Sequence, residues 1–388
     1  MKKNIRKSQG GRFIKNRHIG EEIFFHSPDF LFLISLLIII FFGFWVLIPA
    51  SFSKGCSLGD CYFYLHHQLI FGFLPGLILF FVFYFFDYHK LKKIAVPFLI
   101  ISFILLVLVF VPPFGVSYKG ASRWINLGIV NLQPSEIIKI AVIIYLSAWL
   151  SYENGKENLL KSWKNVFLPF ILLLFLVFIL LIAEPDMSTL LVVGFTMVAI
   201  YFLANVPWYF LFISFISLIS ASLIFIKLSP YRLSRVISFL HPQIDPQGIN
   251  YHAIEALEAL SSGGFLGKGL SQSSARFLPE VLSDSIFVLA AEGLGFIGGV
   301  IIIFFYFFLF WRCFYIARKA PDKFGYLLAS GIGFSFIISV IINLGAMTGL
   351  LPLTGIPLPL MSYGGTSMAI TLASFGILAN ISRQTITN

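Results

Sequence analysis

With 388 residues, 58% of them hydrophobic and only 11% charged, the chain has a mean hydropathy of +0.92 and a formal net charge of +10. No water-soluble domain has that composition. In such a chain the positive charge is mostly an orientation signal, because basic loops are held on the cytoplasmic side, and a nucleic-acid partner is not expected.

The first 29 residues form a basic tail carrying Lys2, Lys3, Arg6, Lys7, Arg12, Lys15 and Arg17. The tail has no apolar core with a cleavage site, so the first span is expected to be the insertion signal itself. An apolar run of about 20 residues crosses a hydrocarbon core of roughly 30 Å. Ten such spans are expected, at 30–52, 64–86, 94–114, 132–150, 166–183, 188–205, 207–227, 284–311, 324–349 and 365–381. The fold class is therefore all-α: one polytopic membrane domain over 30–383, followed by a tail at 384–388. With the N-terminus inside, eighteen of the 27 Lys and Arg residues fall on the cytoplasmic side and eight on the other. Both termini are then cytoplasmic, and the long 227–284 loop between spans 7 and 8 faces out. No duplicated half is visible, which weighs against a two-repeat transporter.

Cys56 and Cys61 lie five apart in the first outer loop, close to His66 and His67, while Cys313 lies on the cytoplasmic side. Free thiols, a disulfide and a metal site all stay open there.

Four polar or Gly/Pro-rich segments, 119–128, 133–139, 227–284 and 354–365, map to the same outer side, so one site built from several loops is expected. Asp284 stands at the expected start of span 8, with Glu280 one turn upstream. Paired carboxylates suit glycosyl transfer, in which one deprotonates an acceptor hydroxyl or holds a divalent cation such as Mg or Mn. No organic cofactor is expected. A plain helix cap is the competing role for Asp284. Arg232 and Arg235 share a helix face and, with Arg123 and Lys268, are expected to grip a diphosphate; snorkelling to lipid phosphates is the alternative. The glycine cluster at 262–269 lets backbone approach a bulky ligand. Within the spans, Glu136, Lys139 and Glu292 are expected to line one polar cavity beneath Asp284, with Lys139 about 9 Å and Glu292 about 12 Å down at 1.5 Å per residue. A purely structural Glu136–Lys139 pair is the bland alternative.

Read together, Gly120-Ala121-Ser122-Arg123-Trp124-Ile125, Gln133-Pro134-Ser135-Glu136 with Lys139, Pro185-Asp186, Asp245-Pro246 with Gly248 and Tyr251, Ser262-Gly263-Gly264, Leu278-Pro279-Glu280 with Asp284, and Leu351-Pro352 through Ser362-Tyr363-Gly364-Gly365 resemble the SEDS family of RodA, FtsW and SpoVE. The resemblance covers nearly the whole chain in order. It implies a ten-helix peptidoglycan glycosyltransferase that polymerises lipid II on undecaprenyl diphosphate at the outer face of a bacterial cytoplasmic membrane. It further implies a class B penicillin-binding transpeptidase as partner, Asp284 as the essential aspartate, and Glu136 with Lys139 as the family's charged pair. Arg123, Trp124, Arg232, Arg235, Lys268, Glu280, Glu292, Ser362 and Tyr363 are carried as substrate-binding candidates. Gly267-Lys268-Gly269-Leu270-Ser271 and Lys319-Ala320-Pro321-Asp322 look closer to the FtsW branch, implying septal synthesis beside other divisome membrane proteins; RodA-type elongation is the alternative. The family often has Gln where this chain has Glu184, His252 and Glu255, and Gly where it has Ser188. A lipid II flippase and a scaffold that recruits a transpeptidase are the rival functions. The apolar spans below Lys139 and Glu292 favour the polymerase.

Overall fold

The computed structural model describes residues 27–384 except 113, 119–120, 127, 129–130, 152–161, 185, 228–229 and 242–249. Most of the basic tail, the Asp245-Pro246 and Gly248 stretch, and the 385–388 end lie outside the described residues.

Each of the ten expected spans is a helix: α1 (Phe30–Gly55), α2 (Phe63–Phe85), α3 (His89–Leu108), α4 (Pro134–Leu150), α5 (Trp163–Ala183), α6 (Met187–Leu203) and α7 (Trp208–Lys227), followed after the long loop by α10 (Ile286–Arg318), α11 (Lys323–Met347) and α12 (Gly365–Ser382). Eight of these are long and apolar enough to cross a membrane; α4 and α6 have 17 residues each. Local chemistry sets several of the starts. Asp29 accepts the Phe32 N–H at 2.9 Å to cap α1, Pro134 occupies the first turn of α4, and Asp186 accepts both the Thr189 N–H (3.1 Å) and hydroxyl (2.8 Å) to cap α6.

The helices form a centre and a rim. α11 and α12 are 72% buried over their apolar windows whereas α2 and α7 are 22% buried, so the Phe-rich outer faces of the latter are left to lipid. Small residues close the centre: a side chain at Gly76 of α2 would meet Leu372 Cδ1 of α12 at 2.7 Å and Ala369 Cα at 3.0 Å. At the end of the bundle holding Asp29, Arg312 forms a buried ion pair with that residue, and the Tyr88 hydroxyl donates to Asp322.

The all-α expectation needs one amendment. Gly115–Tyr118, Ala121–Asn126 and Asn131–Leu132 form a small antiparallel sheet (β1–β3, in that order), which carries Arg123 and Trp124 on β2. The 227–284 loop also contains helices, α8 (Pro230–Leu240) and α9 (Tyr251–Ser262), with a 3₁₀ turn at Ser274–Phe277. Leu233, Ile237 and Leu240, spaced i, i+4 and i+7, leave one apolar face of α8 exposed, as on an interfacial helix. Cys56 and Cys61 are joined as a disulfide, which closes the free-thiol and metal alternatives.

Candidate active site

Asp284 lies two residues before α10, whose N-cap is Ser285, so it is not the cap its sequence position implies. The Ser285 hydroxyl instead meets His252 Nε2 of α9 at 2.6 Å. Asp284 is buried, and Asn343 of α11 fixes its backbone: the amide Nδ2 donates to the carbonyls of Asp284 (2.9 Å) and Ile356 (2.7 Å). Ser362 and Tyr363 hold the same segment from the other side. The Ser362 hydroxyl donates to the Ser283 carbonyl and accepts the Leu358 N–H at 2.7 Å, and the Tyr363 N–H donates to the Leu282 carbonyl at 2.7 Å. The Tyr363 hydroxyl hydrogen-bonds His67 Nδ1 at 2.9 Å, while Gln68, at the π-helical bulge Leu69–Phe73 of α2, accepts the Gly364 N–H at 2.9 Å. Ser362 and Tyr363 thus brace the segment that carries the aspartate.

Burial, then the neighbouring Glu280 carboxylate, pushes the Asp284 carboxyl up to about 7, against the opposing pull of Arg235. Glu280 follows Pro279 and sits at φ 52, a left-handed conformation rare for a residue with a side chain. Its carbonyl is held there by the N–H groups of Ser283 (3.0 Å) and Ser285 (3.3 Å). Arg235 of α8 donates to the Leu353 carbonyl at 3.0 Å, so its guanidinium lies at the edge of the 353–363 segment.

Behind that segment a cavity opens between α4, α6, α11 and α12, with Arg123, Gln133, Glu136, Lys139, Asp186 and Thr189 among its polar lining. Gly355 belongs to its wall, and a side chain added there would come within 3.9 Å of Asp284 Oδ2, so the aspartate stands at the cavity rim. Glu136 and Lys139 pair at 2.8 Å, yet Glu136 Oε2 is buried without a hydrogen-bond partner among the described residues. A buried carboxylate held by one cation is costly to uncouple. Lys139→Ala should therefore destabilise the fold by about 3–5 kcal/mol. Both single alanine variants should lose the activity of the site, and the double variant should lose much less than the two losses combined, checked by thermal melts and rate measurements. Strict additivity would remove the pairing.

Glu292 does not join this cavity. Its carboxylate accepts from Ser262 (2.9 Å), Ser273 (2.6 Å) and Ser274 (2.8 Å) hydroxyls, from the Ala275 N–H (2.8 Å), and from Lys268 Nζ (3.4 Å). The depth count fails because α9 and the 262–275 loop pack against α10 and take its Glu for themselves. Lys268 is thereby drawn away from Arg123 and Arg235, into a separate cavity lined also by Glu255 and Glu258. Arg123 donates to the Glu184 carbonyl at 3.2 Å, Trp124 pairs across the sheet with Val116, and the Arg232 side chain lies outside the described residues. The spans beneath Lys139 are not wholly apolar either, since Ser335, Ser339, Thr371 and Ser374 also line the central cavity.

Sequence reasoning missed Asn343, Gln68 and the role of Asp186, each a lone polar residue beside or within an apolar run. Glu184, where the family often has Gln, is fully buried with neither carboxyl oxygen hydrogen-bonded among the described residues. Burial and then Asp186 push its carboxyl up to about 8, which keeps it uncharged at neutral pH, as a glutamine would be.

This arrangement has counterparts. Residues 29–387 match the FtsW/RodA/SpoVE family of cell cycle proteins. The chain belongs to that family. It is 38% identical over 357 residues to the "Probable peptidoglycan glycosyltransferase FtsW" of Trichlorobacter lovleyi, covering 91% of this chain and 93% of the relative. It is likewise 38% identical over 291 residues to the "Peptidoglycan glycosyltransferase MrdB" of Escherichia coli K12, covering 74% and 77%. Among solved structures it is similar to one presented as "Structural coordination of polymerization and crosslinking by a peptidoglycan synthase complex", with TM-score 0.74, 27% identity and coverage of 92% and 98%.

For a divalent cation, Asp284 and Glu280 supply two neighbouring carboxylates, and no group of three or more His, Cys, Asp or Glu poised for a metal occurs among the described residues. The pair fits a magnesium-type ion only if phosphate oxygens of a bound substrate complete its shell.

Proposed function

We propose that this member of the family is a peptidoglycan glycosyltransferase that extends glycan strands from lipid II. The observation that carries the reading is Asp284: a buried carboxyl, poised near neutrality, at the rim of a cavity whose charged lining is Arg123, Glu136, Lys139 and Asp186. Its relatives are named for this activity.

In the reaction, the acceptor sugar's 4-hydroxyl oxygen attacks the anomeric carbon of the donor with inversion, and its proton passes to Asp284. The bond from that carbon to the diphosphate oxygen breaks, and the electron pair leaves with undecaprenyl diphosphate. Arg123 and Arg235 flank the path and would stabilise the departing charge. A cation held at Asp284 and Glu280 would supply Lewis-acid stabilisation of the same oxygens. The test is glycan-strand formation on fluorescent lipid II by the purified chain together with a class B penicillin-binding transpeptidase, the proposed partner. No strand under any condition would overturn the polymerase reading.

The pH dependence carries its own signature. A base must be deprotonated, so the rate should fall about tenfold per pH unit below roughly pH 7. Glu280→Gln removes a negative neighbour, lowers the Asp284 value and should move this acid limb to lower pH. Arg235→Gln removes a positive neighbour and should move it up. Shifts of the opposite sign would show that the titrating group is not Asp284.

The site faces outward in this reading, and septal synthesis is one of the two branches open to it, since its relatives carry both FtsW and MrdB names. A cysteine at Ser273 is buried against Glu292, so the labelling site for orientation is Gln272, which is exposed. In a background lacking Cys56, Cys61 and Cys313, a cysteine at 272 should react with an impermeant maleimide from outside, and one at Ser162 only after lysis. The reverse pattern would put Asp284 on the cytoplasmic side and end the reading. The hydroxyls of Ser335, Ser339, Thr371 and Ser374 favour a second activity, translocation; charged lining at one end of the cavity alone favours polymerisation.

A further inference from the structure

Helix α10 is broken inside its apolar span. Gly295 has φ 76 and ψ −177, so the residues around it lose their regular helical hydrogen bonds. Unpaired backbone at membrane depth costs several kcal/mol per group and persists only where protein satisfies it. Here one turn does so. The Phe296 and Ile297 N–H groups donate to the carbonyls of Gly264 (2.8 Å) and Phe265 (3.3 Å), and the Glu292 and Gly293 carbonyls accept the N–H groups of Lys268 (3.2 Å) and Gly269 (2.9 Å). The two backbones interlock so closely that a side chain at Gly267 would lie 2.3 Å from the Gly293 carbonyl oxygen, and one at Gly295 would lie 2.3 Å from the Gly267 nitrogen. Gly267 and Gly295 both have positive φ as well, so only glycine suits either position.

The position of this turn decides what surrounds its tip. Arg312, paired with Asp29 at the foot of α1, marks one interface, and Phe296 lies sixteen residues from it, about 24 Å along a helix and within a hydrocarbon core of roughly 30 Å. The tip side chains Phe265 (75% exposed) and Leu266 (83% exposed) project from the protein at that level, with the Phe265 ring edge-on to Phe296 at 6.0 Å. They continue the exposed apolar face of α10, made of Phe296, Ile297, Val300, Ile301 and Phe304. The only charge of the turn, Lys268, reaches back to pair with Glu292 at 3.4 Å while 45% of its side chain stays exposed, long enough to snorkel away from the tip.

We infer that residues 263–269 form a re-entrant finger whose tip, Phe265 and Leu266, is embedded in the acyl chains of the bilayer. The finger is welded to the half-helix Ile286–Leu294 that follows Asp284, so it ties the depth of the candidate site to the membrane. The occupant is lipid: the apolar tip is continuous with a lipid-facing stripe and lies at hydrocarbon depth.

The test does not depend on any enzymatic activity. A spin label is placed on a single cysteine at Leu266 in the protein lacking Cys56, Cys61 and Cys313, reconstituted in phosphatidylglycerol–phosphatidylethanolamine nanodiscs. Leu266 packs against little, so the substitution leaves the fold intact. Labels at Phe304 and at Gln272 serve as lipid and water references. Power-saturation measurements should give the label at 266 an oxygen-to-nickel-chelate accessibility ratio nearer that at 304 than that at 272. A ratio nearer that at 272 would show the tip in water, as for a surface awaiting a protein partner, and would overturn the inference.

Discussion

Replacing Asp284 with asparagine should reduce glycan polymerisation by about 10²–10⁴-fold, the range for loss of a general base. The folded protein should be retained, because the Asp284 side chain caps no helix and the brace from Asn343 runs to its backbone carbonyl. Stability gives an independent check on the sign. The Asp284 value in the folded state, about 7, lies above the ordinary 3.8, so ionising the carboxyl costs the native state. That cost is absent below the unfolded value and fully present once the pH exceeds the folded one. At about pH 8 the asparagine variant should therefore melt higher than the parent, because burial is the main cause of the shift. Wild-type rates on lipid II would end the catalytic assignment, while a collapsed melting temperature would mean the side chain is structural.

The sequence announces this site unevenly. Ten helical runs were legible from their apolar length, eight of them, among the described residues, long and apolar enough to cross a membrane. Asp284 and the Glu136–Lys139 pair stood out because a charge in such surroundings is rare. The braces did not. Asn343 sits in an otherwise apolar helix, and nothing in its neighbours shows that two carbonyls from segments 59 and 13 residues away converge on it. The strands of the small sheet are only four, six and two residues long, so their alternation gave no signal against the α-helical background. Counting residues down α10 also placed Glu292 in the wrong cavity, because a one-dimensional depth says nothing about azimuth.

Glu292 is where that difference has its largest consequence. Its carboxylate accepts five hydrogen bonds, at least two of them from fully buried groups, Ser273 and Ala275. Glu292→Ala leaves these donors unpaired, and each buried orphan costs about 1–3 kcal/mol, so the variant should lose several kcal/mol of stability. It should also free the 262–275 loop from α10 and lower the polymerisation rate. Glu292→Gln is the informative control. Its carbonyl can take the place of Oε2, which accepts from Ser273 and from the Ala275 N–H, and its amide then faces the Ser262 and Ser274 hydroxyls, which can turn to accept, while the half-exposed Lys268 loses its bond to Oε1 and swings away. The glutamine variant should therefore recover most of the stability and rate. In both variants the acid limb of the surviving activity should stay near its original pH, because Glu292 positions a loop and exchanges no proton with substrate. Parental melting of Glu292→Ala would break this account. A limb displaced in the glutamine variant would give Glu292 a part in the acid–base chemistry beside Asp284.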